Sequence, residues 1–518
     1  MKKILLAVLF ACTATGAFAQ KITTIAGNGT PGTSGDNGPA TAALMHNPDG
    51  IAVFGNNLYI GEVYSHRVRK IDLSTGIITA FAGTGVSGYS GDGFAATNAQ
   101  LSNVYGISVD SSGNLYITDQ ANYVVRKVNT AGIITTFAGS GTYGFSGDNG
   151  PATAANISDV NGVTPDLHGN LFIADHNNYC VRKVDATGII TTIAGTPSTA
   201  GSSGDGGPAS ACTFRTLTDV SIDASGILYV SDYGNYKVRT IDLAGNVNTI
   251  VGDGFSGYTG NGGPATAAEC SGTTRVWVDA EGNIFFDDAY NYVVRKIDPS
   301  GIITVEVGSG TVGYSGDGGP ATAARLGAVG PITGDACGHL FICDYGNHCI
   351  RKVSYPPRVI TGPDTVCITS SITLANFIGC GIWHSADVSK ATIDSSTGIV
   401  TGISTGTVNI SYTANDSTVT TSVYVKDCPT SVAGEAARAK YPLAVFPDPS
   451  HGTFTINIGS ATRDEAIIVI TNMMGEKVKE LETTTNMNTS IQLDVPAGIY
   501  FVAAITKNNT ATAKISIQ

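Results

Sequence analysis

Short apolar runs alternate with polar residues through most of the chain, and most runs end at Gly, Asn, Asp or Ser. In one stretch, four such runs cover residues 105–110, 114–118, 124–128 and 133–138. Alternation with a period of two is typical of strands buried on one face, and Gly and Asn tolerate the positive φ of tight hairpin turns. The pattern predicts four antiparallel strands in this stretch.

The same unit recurs six times within residues 22–357. An arginine in a V-R-K-like phrase returns every 56 or 57 residues, and an acidic residue stands seven positions before each arginine. The six pairs are Glu62 with Arg69, Asp119 with Arg126, Asp175 with Arg182, Asp232 with Arg239, Asp288 with Arg295, and Asp344 with Arg351. Six copies of a four-stranded unit predict an all-β fold, with a six-bladed β-propeller over residues 20–357.

The order of the phrases also predicts how the ring closes. A fourth-strand phrase at residues 22–27 comes before any first strand, and no such phrase follows the last third-strand phrase at 348–353. We therefore expect the N-terminal strand to complete the sixth blade, which leaves no sheet edge open.

The repeated phrases resemble the NHL repeat. The resemblance rests on N-L-Y-I-T-D at 114–119, V-R-K-V at 125–128, and the related phrases at 170–175 and 315–322. It implies a propeller scaffold. NHL-type propellers serve as protein-binding, nucleic-acid-binding and enzymatic platforms, so the resemblance leaves the function open.

Residues 358–428 lose the repeat but keep short alternating runs, which predicts a small β-sandwich. The phrases A-T-I-D-S-S-T-G-I-V-T-G at 391–402 and G-T-V-N-I at 406–410 resemble bacterial Ig-like modules of the Big2 type. That resemblance implies a spacer, with an adhesive stalk as the alternative. Residues 429–440 are predicted to be a linker.

Residues 441–518 resemble the type A C-terminal sorting domain of the Bacteroidetes type IX secretion system, which implies a final β-sandwich. The motif residues are Pro447, Asp448, Pro449, Gly475, Gly498, Tyr500 and Lys514. The resemblance implies that the secretion machinery at the outer membrane handles the chain and leaves it surface-attached or released.

The first nineteen residues have the pattern of an export signal. Lys2 and Lys3 precede an apolar stretch at 4–11, and Ala-Phe-Ala stands immediately before Gln20. Lipoprotein processing at Cys12 is the alternative. No later run reaches the roughly 18 apolar residues that span a bilayer, so we expect no transmembrane segment.

Charge and cysteine content narrow the classes of partner. The formal net charge of −12 opposes binding to a phosphate backbone, so no nucleic-acid partner is expected. Nine cysteines follow the predicted signal peptide. An oxidising compartment permits disulfides, and the odd number leaves at least one cysteine unpaired within the chain.

Two repeated motifs are predicted to be structural. Phrases of the form G-x-G-x-x-G begin at Gly27, Gly83, Gly139, Gly252 and Gly308, but no long helix follows them, so they are interpreted as loops rather than dinucleotide sites. S-G-D phrases occur at 34–36, 90–92, 146–148, 203–205 and 315–317, with a degraded copy at 259–261. These are interpreted as turns, with Ca²⁺ sites as the alternative. No other cofactor is expected. The six acid and arginine pairs are expected to fix each hairpin by charge-assisted hydrogen bonds.

Candidate ligand-binding residues lie where the repeat breaks its symmetry. At the start of the first strand, Gly50, Gly106 and Gly162 give way to Asp219, Arg275 and Pro331, and a column of small residues becomes Trp277 in the fifth copy. We expect Asp219, Arg275 and Trp277 near the mouth of the central channel, on the face that carries the long connectors. Local repacking is the alternative.

No catalytic residue is assigned, because the histidines do not fall in one column and no G-x-S-x-G elbow is present. The first hypothesis is a secreted or cell-surface binding protein for a glycan, peptide or envelope protein. The alternatives are a secreted lyase or hydrolase that acts at the channel mouth, and a structural component of the surface or matrix.

Overall fold

A computed structural model describes residues 20–376, 378–428, 443–460, 462–472, 475–507 and 509–518. Within these residues the regular structure consists of strands and short 3₁₀ turns. The described part of the chain forms two compact units, one up to Val425 and one from Lys426. The predicted signal peptide (1–19) and linker (429–440) lie outside the described residues.

Six antiparallel sheets make up the first part of the chain, and each has a first, second, third and fourth strand in that spatial order. The first strands are β3 (Pro48–Phe54), β7 (Val104–Val109), β12 (Val160–Pro165), β16 (Leu217–Ile222), β20 (Val276–Val278) and β24 (Val329–Gly334). The second strands are β4 (Asn57–Glu62), β8 (Leu115–Asp119), β13 (Leu171–Asp175), β17 (Leu228–Asp232), β21 (Ile284–Asp288) and β25 (Leu340–Asp344). We number the sheets as blades one to six in this order.

The third strands are β5 (Arg67–Asp72), β9 (Val124–Val128), β14 (Cys180–Val184), β18 (Lys237–Ile241), β22 (Val293–Ile297) and β26 (Cys349–Ser354). The fourth strands of blades one to five are β6 (Ile77–Ala82), β10 (Ile134–Ala138), β15 (Ile189–Ala194), β19 (Val247–Val251) and β23 (Ile303–Val307). Two-residue strands, β2 (Gly38–Pro39) and β11 (Gly150–Pro151), extend blades one and three at the outer edge.

The N-terminal strand β1 (Lys21–Ala26) is the fourth strand of blade six. It pairs antiparallel with β26, with Ile22 opposite Val353. Each first strand contacts the first strands of the two neighbouring blades, and β24 contacts β3. The sheets therefore form a closed ring in which β1 is the last strand of blade six, and the predicted all-β propeller fold is confirmed.

The hydrophobic cores lie between neighbouring sheets. Tyr59 of blade one, for example, packs in one cluster with Leu115 and Ile117 of blade two. This arrangement follows from the alternating pattern, because each blade must bury both faces against its neighbours.

Short 3₁₀ turns occupy two recurrent places. Those in the connectors between blades are Ala40–Ala42, Ala96–Asn98, Ala152–Ala154, Ala209–Ala211, Ala265–Ala267 and Ala321–Ala323. Those between second and third strands are Gln120–Asn122, His176–Asn178, Tyr233–Asn235, Ala289–Asn291 and Tyr345–Asn347. In five of the six connectors a proline immediately precedes the turn as its cap, as Pro39 does before Ala40.

The glycines of the G-x-G-x-x-G phrases lie where each connector crosses a hairpin. Gly83 has φ +89°, and a Cβ there would lie 2.5 Å from the backbone oxygen of His66. Gly139 meets the oxygen of Tyr123 in the same way, at 2.3 Å. Only glycine permits both this φ and this approach, so the phrases serve the packing of the blades.

A buried arginine holds each blade to the connector that leads into it. The six arginines Arg69, Arg126, Arg182, Arg239, Arg295 and Arg351 are all 0% exposed. In blade two, Arg126 Nη1 lies 3.3 Å from Asp119 Oδ2 at the end of β8, and Nη2 lies 2.5 Å from Asp92 Oδ1 in the connector. Nη2 also donates to the backbone oxygen of Ser90 at 3.1 Å.

The same arrangement recurs around the ring. The strand carboxylates lie 3.2–3.8 Å from their arginines. The connector carboxylates of Asp36, Asp92, Asp148, Asp205 and Asp317 lie 2.5–2.8 Å from them. In blade five, Asn261 takes the place of the connector aspartate and accepts from Arg295 Nη2 at 3.0 Å. The S-G-D phrases thus supply a second counter-ion to five of the six arginines, and the degraded copy supplies a neutral acceptor to the sixth.

Residues 365–426 form a small sandwich of two sheets within the first unit. Its strands are β27 (Thr365–Cys367), β28 (Ser371–Thr373), β29 (Ile382–Ser385), β30 (Ala391–Ile393), β31 (Ile399–Gly402), β32 (Gly406–Ala414) and β33 (Ser417–Lys426). The sheet orders are β27-β33-β32-β29 and β28-β31-β30. The ring centroids of Trp383 and Tyr412 lie 4.6 Å apart in the core between them.

Several contacts fasten this sandwich to the propeller. A disulfide joins Cys337, in the turn between β24 and β25, to Cys380 of the sandwich. His339 Nε2 lies 2.9 Å from Asn415 Oδ1, and Asn415 Nδ2 donates to the backbone oxygen of Tyr355 at 2.7 Å.

Cys367 and Cys428 are also disulfide-bonded. The free cysteines among the described residues are Cys180, Cys212, Cys270, Cys343 and Cys349, all of which are buried in the propeller.

The second unit is another sandwich. Its strands are β34 (Leu443–Phe446), β35 (Thr453–Ile458), β36 (Glu465–Thr471), β37 (Lys477–Thr484), β38 (Asn488–Gln492), β39 (Gly498–Thr506) and β40 (Asn509–Ile517). The sheet orders are β34-β35-β38 and β37-β36-β39-β40. Residues such as Phe454, Ile468 and Val502 form the core.

The sorting-motif residues lie in the turns and edges of this second unit. Asp448, between Pro447 and Pro449, accepts a hydrogen bond from the backbone N–H of Ser516 at 2.7 Å. Tyr500, two residues after Gly498, donates from its hydroxyl to the backbone oxygen of Pro496 at 2.8 Å. Gly475 adopts φ +83° in a turn, and Lys514 lies opposite Phe501 in β40.

Replacement of a blade arginine tests the contribution of these ion pairs to stability. Arg182→Met leaves Asp175 and Asp148 without their cation, and removing one partner of a buried pair costs about 3–5 kcal/mol. Urea unfolding at pH 7 measures the loss. The neighbouring Lys183→Met is the control, because the half-buried Lys183 lies over the ring of Phe172 and near Asp185, apart from the ion pairs of Arg182. Equal losses in both variants would contradict the role of the arginine.

The strand carboxylates predict a pH dependence of stability. Burial raises the pKa of Asp119 to about 6, despite the hydrogen bond from Ser102 and the charge of Arg126. The folded protein therefore keeps a proton that the unfolded chain releases near pH 4. The resulting stabilisation is complete below pH 4 and is lost as the pH rises through about 6.

Asp119→Asn removes this titration. Between pH 4.5 and pH 7.5, the free energy of unfolding of Asp119→Asn should therefore decrease less than that of the wild type. The difference between the two decreases should be on the order of 1–2 kcal/mol. Urea titrations at both pH values measure the difference. Asp298→Asn is the control, because a hydrogen bond from the Ser300 hydroxyl holds the pKa of Asp298 below its usual value. If the free energy of unfolding of Asp119→Asn changes with pH as much as that of the wild type, the raised pKa of Asp119 is refuted as the cause.

Candidate functional site

Arg275 lies across the central channel that the first strands surround. It immediately precedes β20 in blade five. Its Nη1 lies 3.4 Å from the backbone oxygens of Ile51 in blade one and Ile107 in blade two. Its Nε lies 3.4 Å from Asp219 Oδ1 in blade four. One side chain thus reaches three other blades.

The guanidinium separates two cavities, because Arg275 lines both. The larger cavity, of about 520 Å³, opens on the face that carries the connectors, and we call it the chamber. The smaller cavity, of about 200 Å³, lies on the other side among Ser108, Thr164 and Ser221. Arg275 therefore forms the floor of the chamber, and the channel is not an open pore at this level.

Two rings of residues from successive blades form much of the chamber wall. The first ring stands at the start of each first strand and consists of Asp49, Tyr105, Asn161, Thr218, Thr274 and Gly330. The second ring directly follows the repeated strand acid and consists of Gln120, His176, Tyr233, Ala289 and Tyr345. Tyr290 lies beside the second ring. The wall residues therefore occupy equivalent positions but differ in chemistry from blade to blade.

Hydrogen bonds order the wall on the side of blades two to four. Gln120 Nε2 donates to Asn161 Oδ1 at 3.0 Å. His176 Nδ1 lies 2.6 Å from the backbone oxygen of Leu217, and since a carbonyl oxygen only accepts, Nδ1 carries the ring proton and Nε2 keeps its lone pair. Asn161 Nδ2 lies 3.0 Å from the same Nδ1, but two donors form no hydrogen bond with each other. Burial lowers the pKa of His176, so the imidazole is neutral at pH 7.

Tyrosines occupy much of the remaining wall. The hydroxyls of Tyr233 and Tyr290 lie 3.0 Å apart. Burial raises the pKa of Tyr105, Tyr233 and Tyr345. The hydroxyls therefore remain protonated and can donate hydrogen bonds to a ligand.

Three carboxyl groups surround the floor. Asp287 accepts from the backbone N–H groups of Thr274 and Arg275, at 3.0 and 2.7 Å. Burial raises the pKa of Asp287 to about 7, and it also raises the pKa values of Asp49 and Asp219 despite the nearby charge of Arg275. Burial thus disfavours the ionised form of each carboxyl group that surrounds Arg275.

The structure brings two of the three predicted ligand-binding residues together. Asp219 and Arg275 meet in the floor, where they are 2% and 8% exposed. Their side chains contact each other and expose little surface, so they shape the chamber more than they face its contents.

Trp277 lies apart from the chamber. Its ring passes over Gly334 of blade six, where a Cβ would fall 2.1 Å from an indole carbon. The ring centroid of Phe285 lies 5.2 Å away. Trp277 lines a separate cleft of about 120 Å³ between the propeller and the Ig-like sandwich. The indole takes this direction because Gly334 leaves room for it. Comparison of the equivalent positions of Trp277 in the six copies does not reveal this, because Gly334 stands at another position of the repeat.

Asp287 and the two wall rings are not among the residues predicted from the sequence. Asp287 stands in a column that otherwise reads Gly61, Thr118, Ala174, Ser231 and Cys343, so the same search for broken symmetry would have found it. The positions of the wall rings have no consensus residue, so no departure from a consensus can reveal them. The sequence pattern that could have revealed them is their variability from copy to copy, directly beside invariant positions.

The repeated acid and arginine pairs, Glu62/Arg69 through Asp344/Arg351, are absent from the residues that line the chamber. They lie within the blades, where each arginine joins a hairpin to a connector. This position suits the structural role that the sequence predicts for them.

Family models match three parts of the chain. The secretion system C-terminal sorting domain matches residues 444–518, and the bacterial Ig-like domain (group 2) matches 369–425. The teneurin NHL domain matches 84–146, within the propeller.

Curated relatives share the NHL region. The human NHL repeat-containing protein 2 is 25% identical over 263 residues, which is 44% of this chain and 35% of that protein. Human teneurin-4 is 25% identical over 233 residues, which is 40% of this chain and 8% of that protein. The chain thus spans only about a third of the first relative and less than a tenth of the second.

The solved structures show the same fold. A structural genomics protein of unknown function from Bacteroides thetaiotaomicron aligns with a TM-score of 0.50 at 18% identity, over 65% of this chain and 76% of that one. At this identity the likeness concerns the fold alone.

The sorting-domain match indicates export by type IX secretion to the cell surface or the medium. Among the described residues, no helix is long and apolar enough to cross a membrane. The chain is an exported β-propeller protein with segments that match the NHL, bacterial Ig-like and type IX sorting domain families.

Proposed function

We propose that this exported protein is a receptor that binds an extracellular ligand in the chamber at the mouth of its propeller channel. The observation that carries the proposal is the chamber itself. Its volume of about 520 Å³ falls in the range of about 300–1,000 Å³ that is typical of small-ligand sites.

The composition of the wall supports a binding role. Packing within a blade imposes the same residue six times, as it does for the buried arginines. The wall rings are free of that constraint and present Tyr105 in blade two and Asn161 and His176 in blade three. Asn161 is already hydrogen-bonded to Gln120, and His176 to the backbone oxygen of Leu217, so little ordering of these side chains remains to oppose binding.

The chamber also bears on the two other hypotheses. A purely structural component needs no preformed cavity of this size. A lyase or hydrolase needs an acid or base that faces the substrate, and Asp49 and the neutral imidazole of His176 line the chamber. Turnover of a bound ligand would therefore be the sign of an enzyme in the test below.

A substitution that fills the chamber tests the proposal whatever the ligand is. Thr218→Trp places an indole in the first ring, and Leu243→Trp is the matched control at a turn residue that is 78% exposed outside the chamber. Calorimetric titration with a panel of oligosaccharides and peptides measures binding. A ligand should bind the wild type and the control equally and bind Thr218→Trp at least tenfold more weakly.

The melting temperature gives a second measurement. A ligand at a hundred times its Kd adds about 2.7 kcal/mol to the stability of a reversible unfolder. This stabilisation should be lost in Thr218→Trp alone. Binding that survives in Thr218→Trp, or the absence of binding to every panel member, would refute the chamber as the site.

A further inference from the structure

We propose that the chamber binds the terminal sugar of a neutral saccharide chain. This inference rests on the proposed function, that the chamber is the ligand site. It adds the chemical class of the ligand and the way in which the ligand enters.

The wall of the chamber has a polar arc and an arc that includes an apolar segment. Blades two and three contribute Gln120, Asn161 and His176, whose amides and imidazole offer hydrogen-bond donors and acceptors. On the other side, Ala289 and the segment 328–331, Ala-Val-Gly-Pro, form an apolar arc, and the hydroxyl groups of Thr274, Tyr290 and Tyr345 lie beside it. A pyranose ring has the matching chemistry, since its hydroxyl groups form a polar edge and its C–H groups form an apolar face.

The tyrosines strengthen the match. Tyr290 is 59% exposed and stands beside the apolar arc, with its hydroxyl 3.0 Å from that of Tyr233. A tyrosine ring offers an apolar face with a polar tip, and it loses little conformational entropy on binding. An arrangement of this kind stacks on a sugar ring and bonds its hydroxyls at the same time.

The electrostatics of the chamber also bear on the ligand. Arg275 is only 8% exposed and its Nε lies 3.4 Å from Asp219 Oδ1, so its side chain presents little charged surface to a ligand. Burial keeps His176 neutral and favours the protonated forms of Asp49 and Asp287. A charged ligand would lose its hydration without gaining a counter-ion, which is unfavourable. The described wall therefore suits a neutral polar ligand.

The floor of the chamber limits which part of a saccharide chain can enter. Arg275 contacts Ile51 and Ile107 on the opposite side of the channel and so blocks passage through it. A polymer cannot thread the ring, and an internal segment cannot descend into a closed chamber without a sharp bend. A chain end can enter directly, so the geometry favours recognition of a terminal residue.

The test uses the full chain and defined probes. Neutral oligosaccharides of glucose, mannose and xylose in several linkages are titrated by calorimetry, alongside oligogalacturonate and a peptide library. At least one neutral oligosaccharide should bind. Gln120→Leu and Tyr290→Ala, from the polar arc and the aromatic side, should each weaken it at least tenfold, while Leu243→Ala, in an exposed turn, leaves it unchanged.

A modified probe tests the mode of entry. Blocking both chain ends, by reduction at one and methylation at the other, should abolish binding of the same oligosaccharide. If blocked chains bind as well as free ones, recognition of the terminal sugar is refuted.

The outcomes separate the two proposals. Binding of oligogalacturonate or a peptide alone, lost in Thr218→Trp, would keep the receptor function and overturn the neutral saccharide. Failure of every probe to bind would overturn both. Circular dichroism and melting temperatures of the variants establish that they are folded.

Discussion

The buried arginine of each blade is the interaction on which the rest of this structure depends. One guanidinium is held between a carboxylate at the end of the second strand and an oxygen group of the preceding connector, as Arg126 is between Asp119 and Asp92. A cation with no exposed surface requires such partners, because an unpaired buried charge is strongly destabilising. The connector is long and rich in glycine, and this bond fixes its path over the blade.

That constraint positions the candidate site. The connectors and the hairpins between second and third strands lie on the face where the chamber opens, and the chamber wall follows directly from them in the chain. Gln120 and His176, for example, each come immediately after a strand acid that is bonded to an arginine. A rigid hydrogen-bonded frame thus carries the residues that vary.

A single arginine in the channel, which does not recur from blade to blade, also lies among carboxyl and carbonyl groups. Arg275 lies near three carboxyl groups and reaches carbonyl oxygens on the opposite side of the ring. Blade five differs from the other blades at Arg275, Trp277 and Asp287 together. These changes close the channel, and they turn Trp277 towards the Ig-like sandwich. The disulfide between Cys337 and Cys380 fastens that sandwich to blade six, so it is held against the propeller rather than tethered as a loose spacer.

The sequence by itself determined the architecture of this protein. Its period of 56 or 57 residues, the alternation within each copy and the displaced strand phrase at 22–27 specify the blades and their closure, because strands and hairpins follow from local pattern. It also identified the repeated acid and arginine pairs and two of the residues in the channel floor.

Only the tertiary structure decided what the channel became. Whether Arg275 points out of the mouth or across the ring depends on carbonyl groups more than 150 positions away in the chain. The direction of Trp277 depends on a glycine in the next blade. The chamber wall depends on which varied columns face one another once the ring is closed. These are relations between blades, and no pattern within a single copy contains them.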